Sequence, residues 1–286
     1  MNNPRVPGGP ASGKKTAMRK KTAPPGQSPG SDLHETLYSV KNLSKIFPPA
    51  GFRALSGINM ELRAGGCTLI AGSNGSGKTL LMRLLAGLLD PTEGEIFFHG
   101  KPLSKSLDRL RREVGLIFQD AEAQIVGETV AEDIAFGPKN LGLSRQEVAG
   151  RVATALAAFG LESKRDFSPR RLSGGEKRRL AAAGIIAMRA ETVIMDEPFA
   201  NLDWPGVVQT LEIIRALKNT GKTVILLTHE LEKALALADR LVILHRGILR
   251  DDGKPGDVLN RLDPAWGVRD PRRNYRGVED CSWLAE

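Results

Sequence analysis

The stretch Gly72-Ser73-Asn74-Gly75-Ser76-Gly77-Lys78-Thr79 decides the fold of this 286-residue chain. The apolar run at residues 68–71 precedes it and predicts a strand, while residues 80–85 follow with the apolar spacing of a helix. A strand, a tight glycine loop and a helix N-terminus, in that order, are the parts of a phosphate-binding loop. We therefore predict that this loop binds a nucleoside triphosphate through backbone N–H groups and the positive end of the helix dipole.

Each part of this loop has an expected task in phosphate binding. The glycines at positions 72, 75 and 77 let successive backbone N–H groups point into one concavity. Lys78 would then reach the outer phosphates, and the Thr79 hydroxyl would ligate Mg²⁺. The predicted nucleotide-binding residues of this stretch are Gly72, Ser73, Asn74, Gly75, Ser76, Gly77, Lys78, Thr79 and Leu80.

Composition narrows the class of protein. The hydrophobic fraction of 41% is enough for a sizeable core. No apolar run approaches the roughly 18 residues that a membrane span requires. The two cysteines, Cys67 and Cys281, lie far apart in the sequence and match no metal-binding or redox spacing. The apolar core of a signal peptide is also missing, so we expect a protein of a reducing, cytoplasmic environment.

The net charge of +8 lies mainly in the N-terminal segment. The first 31 positions hold no acidic residue and six basic ones: Arg5, Lys14, Lys15, Arg19, Lys20 and Lys21. Subtracting these six charges from +8 leaves about +2 for the rest of the chain, too little for a surface that follows a nucleic acid backbone. We expect residues 1–35 to form a disordered basic tail, and weak attraction to anionic lipid is the alternative.

The rest of the chain alternates strand and helix patterns. Apolar runs that predict strands lie at residues 37–40, 58–62, 95–98, 114–118, 192–195, 223–227 and 241–244. Between residues 119 and 171 the spacing becomes helical, and Ser144 and Glu147 form a capping box. The pattern predicts an α/β fold with a mainly parallel sheet and a helical insert at about residues 120–171.

Two acidic residues end one of these predicted strands. Asp196 is placed to bind the hydration shell of Mg²⁺, and Glu197 is suited to polarise an attacking water. Taken alone, such a pair could be a strand end with solvated charges. Together with the phosphate loop it indicates hydrolysis of the bound nucleotide.

The stretch Leu172-Ser173-Gly174-Gly175-Glu176 is the most discriminating in the chain. An ordinary capping box explains Ser173 and Glu176. It does not explain Gly174 and Gly175, because each glycine at a helix entry adds disorder that folding must remove. Exposed N–H groups without side chains suit an anion, so the pattern predicts a second phosphate-contacting element, one that serves another subunit.

These motifs resemble those of the ATP-binding cassette family, over about residues 38–262. The phosphate loop resembles its Walker A motif, Asp196 its Walker B aspartate, residues 172–176 its signature, Gln119 its Q-loop glutamine, Asn201-Leu202-Asp203 its D-loop and His229 its switch histidine. The resemblance implies a P-loop nucleoside triphosphatase with a RecA-like core and an N-terminal antiparallel β-subdomain in residues 36–262. It further implies a head-to-tail dimer that encloses two ATP molecules.

The same resemblance implies roles for single residues. The implied catalytic residues are Glu197 as general base, His229 as the residue that orients the γ-phosphate and water, and Gln119. The implied Mg²⁺ site consists of Thr79, Gln119 and Asp196. Nucleotide contacts outside the phosphate loop would come from Ser173, Gly174, Gly175 and Asp203. Phe47 would stack on adenine, and Phe52 or a core position for either ring is the alternative.

A narrower resemblance points to the ATPases of energy-coupling factor importers. It rests on Gln124, on the run Glu132-Asp133-Ile134-Ala135-Phe136-Gly137 and on Glu176. It implies import of a vitamin or of a cobalt or nickel ion. The implied partners are a second ATPase subunit (a copy or a paralogue), a transmembrane coupling protein and a substrate-binding membrane component, at the cytoplasmic face of the membrane, without nucleic acid.

Other interpretations remain beside this one. The chain could serve another class of ABC transporter, act as a soluble ABC ATPase on nucleic acid or ribosomes, or be a nucleotide-binding scaffold without turnover. A soluble ABC ATPase is disfavoured because the chain has a single phosphate loop and no heptad run. A scaffold without turnover is disfavoured because Glu197 and His229 are present. Residues 263–286 form an unassigned extension. Its Trp266 and Trp283 would pack on a neighbouring subunit or domain, and binding of single-stranded nucleic acid is the alternative.

Overall fold

The computed structural model describes residues 35–49, 51–120 and 122–272. Of the predicted basic tail, residues 1–34 lie outside this part, as does the end of the C-terminal extension with Trp283 and Cys281. Within the described residues, none of the helices combines the length and apolarity of a membrane span.

Strands and helices alternate along the described chain. The strands are β1 (Thr36–Phe47), β2 (Phe52–Arg63), β3 (Gly66–Ala71), β4 (Glu93–Phe98), β5 (Lys101–Pro102), β6 (Val114–Ile117), β7 (Thr192–Asp196), β8 (Thr223–Thr228), β9 (Arg240–His245) and β10 (Ile248–Gly253). The α-helices are α1 (Lys78–Leu85), α2 (Leu107–Glu113), α3 (Val130–Asn140), α4 (Arg145–Ala158), α5 (Gly174–Met188), α6 (Trp204–Asn219), α7 (Leu231–Ala234) and α8 (Pro255–Asn260).

A six-stranded sheet in the order β10-β9-β3-β8-β7-β6 forms the centre of the molecule. All neighbouring strands are parallel except β10, which runs antiparallel to β9 at the edge. The predicted mainly parallel sheet is therefore confirmed. Register pairs Ala71 with Thr228 and Asp196 with Leu227, so the carboxyl ends of β3, β7 and β8 meet at one edge.

A second, antiparallel sheet has the order β2-β1-β4-β5. The runs predicted at residues 37–40 and 58–62 are parts of the longer strands β1 and β2, and a register shift between Val40 and Leu43 interrupts their pairing. This sheet confirms the N-terminal antiparallel β-subdomain that the family resemblance implies.

Four strands of the six-stranded sheet, β3, β7, β8 and β9, are buried along most of their length, which is why their sequences are mainly apolar runs. In β3, Ile70 packs toward the antiparallel sheet and α1, while its neighbour Leu69 packs toward α6 on the opposite face. Both side chains are fully buried. Burial of one such side chain stabilises the fold by about 1.5–3 kcal/mol, so the two layers hold the carboxyl edge of the sheet rigidly.

A third apolar cluster lies among the helices of the predicted insert. Ile134 of α3 and Leu156 of α4 pack there against Leu180 of α5. Helices α3 and α4 lie within residues 120–171, whereas α5 begins after them and also reaches the cluster under the sheet through Ile185. Helix α5 thus joins the helical region to the sheet.

Candidate functional site

The phosphate loop connects β3 to α1, as the sequence predicts. A Cβ atom at Gly72 would lie 2.2 Å from the carbonyl oxygen of Leu244, so only glycine fits there. Gly77 precedes α1 with a φ of 103°, a conformation that glycine adopts readily, and no side chain caps the helix. The first N–H groups of α1 therefore lack a side-chain partner and suit an anion.

Lys78 is buried at the start of α1, with 5% of its surface exposed. Its Nζ donates to the carbonyl oxygens of Gly72 at 2.8 Å and Ser73 at 3.3 Å. The same Nζ lies 3.2 Å from Oε1 of Glu197. Three acceptors satisfy this buried ammonium and hold it over the loop.

Glu197 is the most connected carboxylate of the site. Its Oε2 accepts from the Thr228 hydroxyl at 2.9 Å and lies 3.0 Å from Nδ1 of His229. Burial would raise the pKa of Glu197, but the hydrogen bond from His229 and the charge of Lys78 outweigh it and lower the pKa below its usual value. The side chain is therefore a carboxylate that can accept a proton. Its backbone has a φ of 46°, a conformation that is strained for a non-glycine residue.

The sequence did not predict the part played by Thr228. This residue is completely buried at the end of β8, beside Glu197. A hydroxyl that ends an apolar strand immediately before His229 is the signal that could have identified it.

Asp196 is 3% exposed at the end of β7, and its Oδ1 has no hydrogen-bond partner in the described part of the chain. Burial raises its pKa and the charge of Glu197 adds to this, whereas the Thr79 hydroxyl and Lys78 oppose it. The hydroxyl oxygen of buried Ser76 also lacks a partner. Unpaired buried oxygens are costly without a ligand, so these two atoms fit a site for Mg²⁺ and a phosphate group.

The described residues supply few metal ligands of their own. No group of three or more His, Cys, Asp or Glu side chains in the described ranges could hold a metal ion. Thr79 and Asp196 would therefore share the ion with oxygens of a bound phosphate or of water, which is how Mg²⁺ is commonly held.

Ser173, Gly174 and Gly175 form the N-terminus of α5, where the structure confirms the capping box. Oε2 of Glu176 accepts from the Ser173 N–H at 2.8 Å, and the Ser173 hydroxyl accepts from the Glu176 N–H at 3.3 Å. A Cβ atom at Gly174 or Gly175 would meet nothing within 4 Å. The folded chain itself therefore gives no steric reason for either glycine.

Gln119 and Gln124 follow β6 but differ in their contacts. Gln119 is exposed and lines a cavity of about 600 Å³ together with Gly174 and Asn201. The Gln124 side chain instead extends β6, because it accepts from the Phe118 N–H at 3.2 Å and donates to the Leu116 carbonyl at 2.7 Å. The structure brings Gln119 to the start of α5, and its assignment to Mg²⁺ stays a prediction.

The remaining predicted residues lie at the surface. Asp203 caps α6, since its Oδ1 accepts from the Gly206 N–H at 3.0 Å. Phe47 is 39% exposed at the end of β1, where it pairs across the hairpin with Phe52, which is 66% exposed. Neither ring is a core residue, and both remain available to stack on a base.

Comparisons with known proteins agree with this geometry. A family model described as ABC transporter matches residues 55–200. A putative ABC transporter ATP-binding protein of Halobacterium salinarum is 43% identical over 235 residues, which cover 82% of this chain and 100% of that protein. The energy-coupling factor transporter ATP-binding protein EcfA of Methanocaldococcus jannaschii is 40% identical over 231 residues, which cover 79% of this chain and 83% of that protein.

A solved structure is similar as well. The structure of cbiO1 from Clostridium perfringens, part of the ABC transporter complex cbiONQ, has a TM-score of 0.72 and 33% identity, and the alignment covers 79% of this chain and 91% of that one. The sheet order, the phosphate loop and the carboxylates at the same edge are thus features of a known family. This chain belongs to the ATP-binding proteins of the ABC transporter family.

Proposed function

We propose that this chain is the ATP-hydrolysing subunit of an energy-coupling factor importer and works as a dimer. The observation that supports hydrolysis is the network that joins the buried residues Lys78, Glu197 and Thr228 to the exposed His229, beside an unpaired oxygen of Asp196. The importer class is supported by the similarity to EcfA and to cbiO1. The second candidate is the ATPase of another class of ABC transporter, because the matching family model is described only as ABC transporter and does not separate the classes.

Nucleotide binding is assigned to the loop from Gly72 to Leu80. Its backbone N–H groups and the Lys78 ammonium would hold the phosphates of ATP, and Phe47 would stack on adenine. Thr79, Asp196 and Gln119 would hold Mg²⁺, which neutralises charge on the phosphoryl group during transfer. The unpaired oxygens of Ser76 and Asp196 support this assignment.

Hydrolysis is assigned to Glu197 and His229. Glu197 is ionised and would accept a proton from the attacking water, while Thr228 and His229 hold its Oε2 in place. Its Oε1 is paired with Lys78. Phosphates attract the same ammonium, so we infer that nucleotide binding draws Lys78 away and leaves Oε1 available for water.

A second subunit would complete each ATP site. Among the described residues, no atom lies within 4 Å of a Cβ position at Gly174 or Gly175, so the N–H groups there are open to a ligand, which supports docking against the ATP of a partner. Asp203 and the adjacent Trp204, which is 78% exposed, would lie in the same interface. The partner is a second copy or a paralogue.

The helical region would dock the membrane components. It exposes the large apolar side chains of Val126 (60%), Phe136 (51%) and Phe167 (39%), and Val126 also lines a cavity of about 460 Å³. Such a surface suits an apolar partner. We assign it to a transmembrane coupling protein. Together with a substrate-binding membrane component, that protein would import a vitamin or a transition-metal ion. The chain itself would lie at the cytoplasmic face of the membrane.

Substitution of Phe136 by Asp tests this docking. We expect Phe136→Asp to abolish co-purification with the coupling protein while ATP binding and hydrolysis of the isolated chain persist. The matched control is Leu88→Asp, since Leu88 is 54% exposed outside the helical region. Retained co-purification in Phe136→Asp, or capture of ribosomes or DNA in place of membrane proteins, would contradict the proposal.

A further inference from the structure

Arg178 connects two parts of the site that are far apart in sequence. It lies in the second turn of α5, which begins at Gly174. Its Nη1 donates to the Pro198 carbonyl oxygen at 2.6 Å, and its Nη2 donates to the Ala200 carbonyl oxygen. A single guanidinium therefore joins the signature helix to the segment that follows β7.

The segment from Glu197 to Asp203 needs such an anchor. Two of its non-glycine residues, Glu197 with a φ of 46° and Asn201 with a φ of 58°, adopt left-handed conformations. Each of these conformations costs of order 1–3 kcal/mol and persists only where surrounding contacts impose it. Phe199, 1% exposed, fixes the segment to the core, and Arg178 fixes its carbonyl groups on either side of Phe199.

The charge around Arg178 fits this arrangement. Burial lowers the pKa of the guanidinium, and the negative charge of Glu230 opposes that effect. Glu230 follows His229 directly; its Oε1 is paired with Lys233, and its buried Oε2 has no hydrogen-bond partner among the described residues. An arginine remains protonated under these conditions, so Arg178 holds a permanent charge against the carbonyl groups of the segment that follows β7.

We propose that Arg178 is a positioning residue that sets the orientation of the Glu197 carboxylate from the N-terminus of α5. The proposal rests on the function proposed above, in which Ser173, Gly174 and Gly175 contact the ATP of a partner subunit. A contact at that end of α5 then acts through Arg178 on the segment that begins with Glu197. The two ATP sites of the dimer are coupled by this route within each chain.

The test compares Arg178→Ala with Arg151→Ala in the full chain. Arg151 makes the same kind of contact, because its Nη1 donates to the carbonyl oxygens of Ala187 at 3.1 Å and Met188 at 3.2 Å. Those carbonyls lie at the other end of α5, away from Glu197. Both variants thus lose two guanidinium–carbonyl bonds, and only one of them touches the hydrolytic segment.

We expect Arg178→Ala to lower kcat tenfold or more with a KM for ATP changed less than about twofold, because misplacement of a reacting group by about 1 Å can cost 10²-fold. Arg178→Lys keeps the charge and one contact, so it should recover part of kcat. Combined with Glu197→Gln, Arg178→Ala should still form an ATP-dependent dimer. Arg151→Ala should lower the unfolding midpoint to a similar extent and leave kcat within about twofold.

Three results would overturn the proposal. The first is a kcat for Arg178→Ala within about twofold of the unsubstituted chain. The second is an equal loss of kcat in Arg151→Ala, which would mean that general loosening of α5 is the cause. The third is loss of the ATP-dependent dimer, which would place Arg178 in assembly. Absence of Mg²⁺-dependent hydrolysis in the unsubstituted chain would instead refute the proposed function, and this inference with it.

Discussion

The phosphate loop and the signature turn are both glycine-rich entries to a helix, yet their surroundings are opposite. A Cβ atom at Gly72 would collide with the Leu244 carbonyl oxygen at 2.2 Å, whereas one at Gly174 would meet nothing within 4 Å. Lys78, at the end of the loop, is held by two carbonyls and by Glu197. Among the described residues, no comparable neighbours surround the glycines of the signature turn.

This difference separates a glycine that the fold requires from glycines for which a ligand is the reason that we propose. At Gly72 the neighbouring strand end leaves no room for a side chain, so the residue is explained without any nucleotide. At Gly174 and Gly175 the fold would be served better by alanine, because glycine costs about 0.5–1 kcal/mol within a helix. Folding alone assembles the phosphate loop as one half of the proposed ATP site, and the signature turn is the surface that we propose to contact a partner subunit.

The largest effect is expected from substitution of Glu197 at the assembled half-site. Glu197→Gln removes the proton acceptor, and we expect kcat to fall by about 10²–10⁴-fold while ATP still binds. Phosphate release measures the loss, and size-exclusion chromatography with ATP should show a trapped dimer. Glu191→Gln, at a carboxylate 67% exposed and paired with Lys222, is the control. A Glu197→Gln variant that stays monomeric with ATP, or that turns over at the normal rate, would contradict the assigned role.

The next effect concerns stability at the same half-site. Gly72→Ala forces the loop away from Leu244 and Ser76, and we expect it to lower the free energy of unfolding by about 2 kcal/mol or more. Gly75→Ala is the matched control, since Gly75 has a φ of 79° but no atom near its Cβ position. That variant should lose only the roughly 1–2 kcal/mol of left-handed strain. Urea titration of both variants decides the matter, and equal losses would remove the steric argument for Gly72.

At the signature turn we expect substitutions to change the free energy of unfolding and the rate of hydrolysis in opposite directions. For Gly174→Ala and Gly175→Ala we expect the free energy of unfolding to rise by about 0.5–1 kcal/mol or less for each residue. We expect hydrolysis to fall about tenfold or more, because the added methyl groups cover N–H groups that would face ATP. Thermal unfolding and phosphate release on the same samples test both statements. A loss of stability would show that these glycines serve the fold after all.

The smallest effect concerns the carboxylate that caps the signature helix. A hydrogen bond from Lys164, together with the Ser173 N–H, holds the pKa of Glu176 at about 2. A lowered pKa means that this stabilisation is present above pH 4.5, the ordinary value, and is lost as the pH falls toward 2.

Glu176→Gln keeps the capping box but loses the charged contact with Lys164. Because Lys164 is 32% exposed, we expect the free energy of unfolding to fall by only about 1 kcal/mol at pH 7. Between pH 4.5 and 2 the free energy of unfolding should depend less on pH than in the unsubstituted chain. Unfolding monitored across this pH range measures both. Glu147→Gln, at the capping box of α4, provides the comparison, because its hydrogen-bond partner Ser144 is uncharged. An identical pH profile in the two variants would exclude a special role for Lys164.

Much of the fold and of the candidate site followed from local patterns. The loop before α1, the acidic pair after β7 and the capping boxes of α4 and α5 are each specified within a few residues, because backbone geometry and hydrogen bonds between near neighbours decide them. The mainly parallel sheet followed from the alternation of apolar runs with helical spacing. The roles of Phe47, Gln119 and Asp203 toward nucleotide and metal remain predictions.

The sequence by itself determined that a phosphate loop, two carboxylates and a histidine are present, and in what order. Only the tertiary structure decided that Lys78 pairs with Glu197, that Thr228 and His229 hold the same carboxylate oxygen, and that Arg178 reaches the segment after β7. These contacts join residues that lie between 198 − 178 = 20 and 197 − 78 = 119 positions apart, so no short window of sequence contains them. The packing of β3, β7 and β8 in one sheet brings them together, because parallel strands align their carboxyl ends at one edge.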